Sequence, residues 1–253
     1  MVPTENWKIG IKHTVLDQLL KYLDGIQDEI PLNIADNQLS IMVVDPPHIR
    51  AVEIVLPKTA LEALEGAGMA VVDVQRLKNL RALQMPFADT TILAHNGRIH
   101  HAGTLRYSAG GVPAMLSGTI PYSDPFMPAK WPSYVPPWTI TMDVARIYSW
   151  LIVAGKEADP EHVEIKATHD QVWMTCGPHV LNLQTGRDVF AIKHDDRPEI
   201  SCKLGLQYLM PILANMPAGW QEYQLGQNHP MMVQHDWLGG KVRHVMAPRI
   251  END

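Results

Sequence analysis

The sequence predicts an α+β protein made of two similar halves, each with two amphipathic helices set against mostly antiparallel strands. Three observations lead there. Short alternating apolar runs bounded by turn residues recur along the chain, helical periodicity appears in only four places, and the same order of elements occurs twice at one spacing. WKIGI from Trp7 and WTITM from Trp138 are alternating strands, each followed by an apolar helical stretch, VLDQLLKYLDGI and VARIYSWLIVAG. NQLSIM from Asn37 and DQVWMT from Asp170 each read as a turn leading into a strand. QRLKNL from Gln75 and QYLMPI from Gln207 are helix candidates that each follow a strand, MAVV and EISCKLG. The three offsets, 131, 133 and 132 residues, agree within two positions.

The helices follow in order. In the first, Leu16, Leu19, Leu20 and Leu23 fall on one face and leave Asp17, Lys21 and Asp24 on the other. In the second, Val74, Leu77, Leu80 and Leu83 face inward while Arg76, Lys78 and Arg81 form the clearest basic patch of the chain. The third, over 143–156, carries Arg146 and Lys156 and begins at Asp143, a residue type that caps helix N-termini. The fourth, over 206–216, has no charge and contains Pro211. The helix segments thus have a small positive balance, and the rest of the chain holds the acidic excess behind the formal net charge of −6.

Between the halves, PYSDPFMPAKWPSYVPP, residues 121–137, contains six of the twenty prolines and reads as an extended connector. The division expected is therefore 1–120, a connector over 121–137, and 138–253. At the C-terminal end, Gly239-Gly240 reads as a turn and VRHVM as a half-buried strand through Val242, His244 and Met246, stopped by Ala247-Pro248.

Composition narrows the function. A hydrophobic fraction of 46% with 19% charged residues is that of an ordinary globular chain. Two cysteines are too few for a disulfide scaffold and point to a reducing compartment. MVPTENWKIGIKHT has no apolar core of signal-peptide length, and no 18-residue apolar run occurs, so no membrane partner is expected.

The tail VRHVMAPRI, the segment DNQLSIMVVDPPHIRAVEIVLP and the helix RLKNLRAL together resemble the sliding clamps of the proliferating cell nuclear antigen (PCNA) family, in a divergent archaeal or viral form. The similarity runs from about Trp7 to Ile250. Its most specific pieces are the Ala-Pro-basic-Ile ending and Asp45-Pro-Pro-His-Ile49 after a strand. The resemblance implies the DNA-clamp fold, two similar domains joined by a connector, and three subunits closing head to tail into a ring around double-stranded DNA. Channel-facing positions would be Lys21, Arg76, Lys78, Arg81, Arg146 and Lys156. Asp17, Gln18 and Asp24 stand where relatives often carry lysines. A pocket for the clamp-binding peptides of DNA polymerase, clamp loader and other replication and repair proteins would use Val44, His48, Ile49, Phe126, Met127, Pro230, Met246, Ala247 and Pro248. The subunit seam is expected between 114–120 and 172–179 of the next copy, through Met115, Leu116, Ile120, Trp173 and Thr175. A homotrimer is expected, cytoplasmic in an archaeal or virus-infected cell or nuclear in a eukaryote. The alternatives are a subunit of a heterotrimeric or checkpoint-type clamp, and a clamp-like decoy that binds clamp partners without encircling DNA.

Catalytic readings are weaker. His95, His100 and His101 have no cysteine or carboxylate at a familiar ligand spacing, so a polar hairpin is the reading rather than a metal site. Cys176-Gly-Pro-His179 lies in a strand register, and Asp195-Asp196 reads as a solvated loop. No phosphate-binding loop and no dinucleotide fingerprint appear, so no cofactor and no enzymatic activity are expected.

Overall fold

The computed structural model describes residues 6–83, 90–95, 98–103, 118–121, 136–158 and 160–249. In the N-terminal half the elements are β1 (Trp7–Ile11), α1 (His13–Leu23), β2 (Glu29–Ala35), β3 (Gln38–Val44), β4 (Arg50–Pro57), β5 (Ala63–Glu65), β6 (Gly68–Asp73), α2 (Val74–Leu83), β7 (Thr90–His95), β8 (Arg98–Gly103) and β9 (Gly118–Pro121). In the C-terminal half they are β10 (Trp138–Asp143), α3 (Val144–Ala158), β11 (His162–Thr168), β12 (Val172–Cys176), β13 (His179–Leu183), β14 (Val189–Lys193), β15 (Glu199–Gly205), α4 (Leu206–Asn215), β16 (Trp220–Leu225), β17 (Met231–Trp237) and β18 (Gly240–Met246). The second series repeats the first element for element.

Strand pairing repeats as well. In the N-terminal half β5-β1-β7-β8-β9 form one sheet order and β4-β3-β2-β6 another; in the C-terminal half the orders are β14-β10-β16-β17-β18 and β13-β12-β11-β15. Substituting each strand by its counterpart nine strands later converts one pair of orders into the other. All registered ladders are antiparallel. A duplicated order of nine strands and two helices is a far stronger mark of internal repetition than the three sequence anchors alone.

By compactness the chain divides into two units. The first holds Met1–Pro46, Val52–Lys130 and Asp236–Val242; the second holds Pro47–Ala51, Trp131–His235 and Arg243–Asp253. The chain therefore returns to the first unit at the tip of the β17–β18 hairpin, so β4, β17 and β18 each divide between units. The expected connector lies, apart from Pro121, Pro136 and Pro137, outside the described residues.

Each unit has its own core. The α1 face predicted from its leucines is buried: Leu16, Leu19, Leu20 and Leu23 pack with Ile9, Ile11, Ile30, Leu32 and Ile54. Each such side chain contributes about 1.5–3 kcal/mol through removal of apolar surface from water. The second core is built the same way from Trp138, Ile140, Ile147, Leu151, Met174, Leu209 and Tyr223. On α2, Val74 and Leu77 are buried as expected, and the side chains of Leu80 and Leu83 lie outside the described residues. Asp143 caps α3, accepting the Arg146 amide at 2.8 Å, and Asp73 caps α2 through the Arg76 amide at the same distance.

Two local features fix the end of the chain. Leu238 and Gly239 both have positive φ, 54° and 78°, so the turn expected at Gly239-Gly240 falls one residue earlier, and Gly240 already belongs to β18. Gly240 backs directly onto β4, where an added Cβ would lie 1.9 Å from the Val55 carbonyl oxygen. The strand that follows is half-buried as expected, with Val242, His244 and Met246 buried on one face and Lys241 exposed on the other; only Val245, near its end, is buried on that second face.

Candidate functional sites

The second unit holds a cleft of about 910 Å³. One wall is the C-terminal half of α3, with Leu151, Ile152 and Gly155; the other is the start of α4, with Leu206, Tyr208 and Met210. Gly155 keeps the helices close, because a Cβ there would meet Leu206 at 3.3 Å. The third wall is Ile49 with Ala247 and Pro248. Ile49 and the tail are joined by the Ala247 amide, which donates to the Ile49 carbonyl at 2.7 Å. Arg249 then donates its amide to Lys203 O at 2.8 Å, and its guanidinium pairs with Glu161 at 2.6 Å. Pro248, which has no amide to donate, lies between these two anchors. The result is an apolar trough with Lys156, Glu161 and Arg249 at its lining.

Of the nine residues expected to line a peptide pocket, this cleft gathers Ile49, Ala247 and Pro248. Val44 is half-buried at the end of β3, His48 is exposed in the left-handed region at φ 58°, and Pro230 is half-buried before β17; none of the three lines the cleft. Met246 is corrected outright. Its side chain has no exposed surface and belongs to the core of the second unit, where it has nothing to offer a ligand. Phe126 and Met127 lie outside the described residues. The α3 and α4 walls were missed, although Gly155 and Gly205 at the ends of apolar stretches were the available signal. Tyr208 lies over Gly205, whose added Cβ would meet the ring at 3.0 Å.

The cationic helix positions are all on helices as expected, but they differ in what surrounds them. Arg81 makes a bidentate pair with Asp17, Nε to Oδ1 at 2.7 Å and an η-nitrogen to Oδ2 at 2.9 Å, and only 13% of its side chain is exposed. Lys78 is ion-paired with Asp24. Arg76 is exposed and lies 3.6 Å from the capping carboxylate of Asp73. Arg146 is 3.7 Å from the buried Asp188, which Arg187 also approaches at 3.8 Å. Lys21 and Lys156 are exposed.

Two of the residues expected at a subunit seam lie on an inner strand. Trp173 and Thr175 lie on β12, which pairs with β11 on one side and with β13 on the other, so no edge of it is open to another chain. The two edge strands of that sheet are β13 and β15; β13 is the neighbour of β12, and its Val180 is 57% exposed. On the other side of the seam, Ile120 lies on β9, the terminal strand of its sheet; Met115 and Leu116 lie outside the described residues.

The residues set aside as non-catalytic have structural roles. Cys176 is buried opposite His179 across the β12–β13 turn, and burial pushes its thiol pKa up, away from the thiolate a nucleophile needs. Cys202 is pushed up to about 12 by the same cause. His95, His100 and His101 belong to the β7–β8 hairpin, their side chains lying outside the described residues. Among the described residues no group of three or more His, Cys, Asp or Glu is arranged to hold a metal ion, and no helix is long and apolar enough to cross a membrane. Asp195 is more than solvated loop: it accepts from Trp138 Nε1 at 3.2 Å and pairs with Arg197 at 3.2 Å.

No protein-family model matches the chain. Among curated proteins, the DNA polymerase sliding clamps of two strains of Halobacterium salinarum are 23% identical over 269 aligned residues, covering 98% of this chain and all of each relative. Among solved structures, A. fulgidus PCNA bound to the C-terminal region of FEN-1 superposes with a TM-score of 0.79 at 16% identity, covering 98% of this chain and 100% of that one. PCNA from Thermococcus kodakaraensis gives 0.77 at 15% identity over 96% and 100%, and the PCNA2-PCNA3 complex of Sulfolobus tokodaii gives 0.77 at 14% over 96% and 99%. The fold is that of a DNA clamp. Curated sliding clamps match the chain from end to end as well, so it is similar to the PCNA clamps in sequence along its length and in fold.

Proposed function

We propose that this protein is a DNA sliding clamp, a processivity factor that encircles duplex DNA as a homotrimeric ring and tethers DNA polymerase and other replication and repair proteins. It acts as a scaffold rather than as an enzyme, in the cytoplasm or the nucleus. The division into 1–120, a connector over 121–137 and 138–253 belongs to this reading. The observation that carries it is the repeated strand order. Within the first unit, Gly240 of β18 sits against Val55 of β4. By the repeat, β18 corresponds to β9 and β4 to β13, so the equivalent contact joins β9 of one copy to β13 of the next. That contact is heterologous and propagates head to tail, which gives a closed ring when the rotation is right. Unpaired strand ends supply the backbone hydrogen bonds.

Within the ring, Arg76, Arg146 and Lys156, with Lys21, face the phosphates, and the trough lined by Ile49, Leu206, Tyr208, Ala247 and Pro248 takes the apolar anchors of a partner peptide. Sliding needs only weak contacts, because closure of the ring, not affinity, keeps the protein on DNA. The test is DNA synthesis on a primed circle by the polymerase of the same cell. The protein should lengthen products on the circle and lose that effect on linear template with open ends. Replacing Arg76, Arg146 and Lys156 together by alanine should reduce it. Equal stimulation on circle and linear DNA contradicts encirclement.

A further inference from the structure

The positions that most distinguish the first unit's helices are acidic, and each acid has a specific partner. Asp17 of α1 holds Arg81 of α2 by two hydrogen bonds, and Asp24, at the C-terminal cap of α1, holds Lys78 of α2. The spacing accounts for the arrangement. Asp17 lies in the middle of α1 and Asp24 is the residue that caps its C-terminal end, while Lys78 and Arg81 are three apart on one face of α2. The four side chains form two parallel rungs between the helices.

We infer that Asp17 and Asp24 act as internal phosphate mimics that occupy Arg81 and Lys78 and so weaken the grip of this helix pair on DNA. The inference rests on the clamp reading, in which these helices face the duplex. A carboxylate offers a guanidinium the same two-oxygen fork as a phosphate. A cation already neutralised by such a fork displaces fewer counterions when it meets DNA, and it must give up its partner to do so. Arg81, with little of its side chain exposed, is the more firmly held of the two. The weaker grip suits rapid sliding over firm attachment.

The experiment measures binding of the full chain to a short blunt duplex by fluorescence anisotropy over a salt series. Asp17→Asn with Asp24→Asn should tighten binding and steepen the slope of log K against log salt by about 1.8, or about 0.9 for each released cation. Asp24→Asn alone, at an exposed position, should steepen it by about 0.9, so the inference stays testable if the double variant folds poorly. Glu62→Gln with Glu65→Gln is the charge-matched control, because it frees Lys12 and Lys8 from ion pairs on another surface. It should leave the slope unchanged. An unchanged slope in the aspartate variants, or an equal gain in the glutamate control, overturns the inference. If wild-type binding in that case still weakens on Arg76→Ala and Lys156→Ala, the clamp reading survives and only the mimic role fails. Absence of salt-dependent binding by wild type and by the aspartate variants alike overturns the inference, while the clamp reading is decided by synthesis on the primed circle.

Discussion

The Ala247 amide reaches the Ile49 carbonyl at 2.7 Å, so the tail and the segment after His48 close one side of a cleft as a single hydrogen-bonded wall. The occupant of that cleft has to be apolar where it meets Leu206, Met210 and Pro248. Leu206→Arg places a charge on this floor and should weaken binding of a clamp-binding peptide by tenfold or more, about 1.4 kcal/mol or above. Isothermal titration with a synthetic peptide measures it. Unchanged affinity removes the cleft from the binding site.

The seam between copies should run through β13 rather than β12. Val180→Asp, at a position 57% exposed, should leave the melting temperature of the subunit nearly unchanged, since exposed substitutions cost within about 0.5 kcal/mol. It should nevertheless shift the protein from ring to monomer in sedimentation. A ring that persists at low concentration contradicts the placement of the seam.

Gly240 tests the contact from which the seam was reasoned. A Cβ there would lie 1.9 Å from Val55 O, a backbone atom unable to move without disturbing β4. Gly240→Ala should cost about 1–3 kcal/mol of stability, the usual range for overpacking, read by urea denaturation. Equal stability would show that β18 and β4 lie farther apart.

His244 has no exposed surface and lies beside His235 with ring centroids 6.0 Å apart. Burial holds its pKa well below the ordinary value, with the positive Arg50 and with His235 acting in the same direction. The folded state therefore keeps the ring neutral while the unfolded chain takes up a proton below about 6.5, so the unfolded state binds more protons and stability falls as pH drops. The slope contributed should approach about 1.4 kcal/mol per pH unit between that value and the depressed folded pKa. His244→Gln should flatten the profile in chemical denaturation from neutral to acid pH. A profile of unchanged slope removes His244 as the group responsible.

What was legible in the sequence was local. The leucines of α1 and the Asp143 cap depend on neighbours a few residues apart and are present in the structure, and the turn read at Gly239-Gly240 is there one residue earlier, at Leu238-Gly239. What was missed depends on partners distant in sequence. The alternating VWMTC and HVLNL both read as edge-capable strands, and only the sheet order shows that β12 is enclosed while β13 is not. The resemblance puts Met246 in a pocket, yet the alternation it shares with Val242 and His244 puts it on the buried face of β18, where the structure has it. The helical walls of the cleft come together because Gly155 allows the close approach of Leu206, fifty-one positions away, which no periodicity encodes. The pairing of Asp17 with Arg81 was hidden for the same reason: α1 and α2 each showed its charges, but not that they face one another.

The most direct test of the whole account is the mass of the purified protein by light scattering over a dilution series. A ring of three copies predicts three times the 28.3 kDa chain, with Val180→Asp falling to one copy. A wild-type protein that stays at 28.3 kDa at every concentration, and gains no mass with primed circular DNA and a clamp loader, contradicts it.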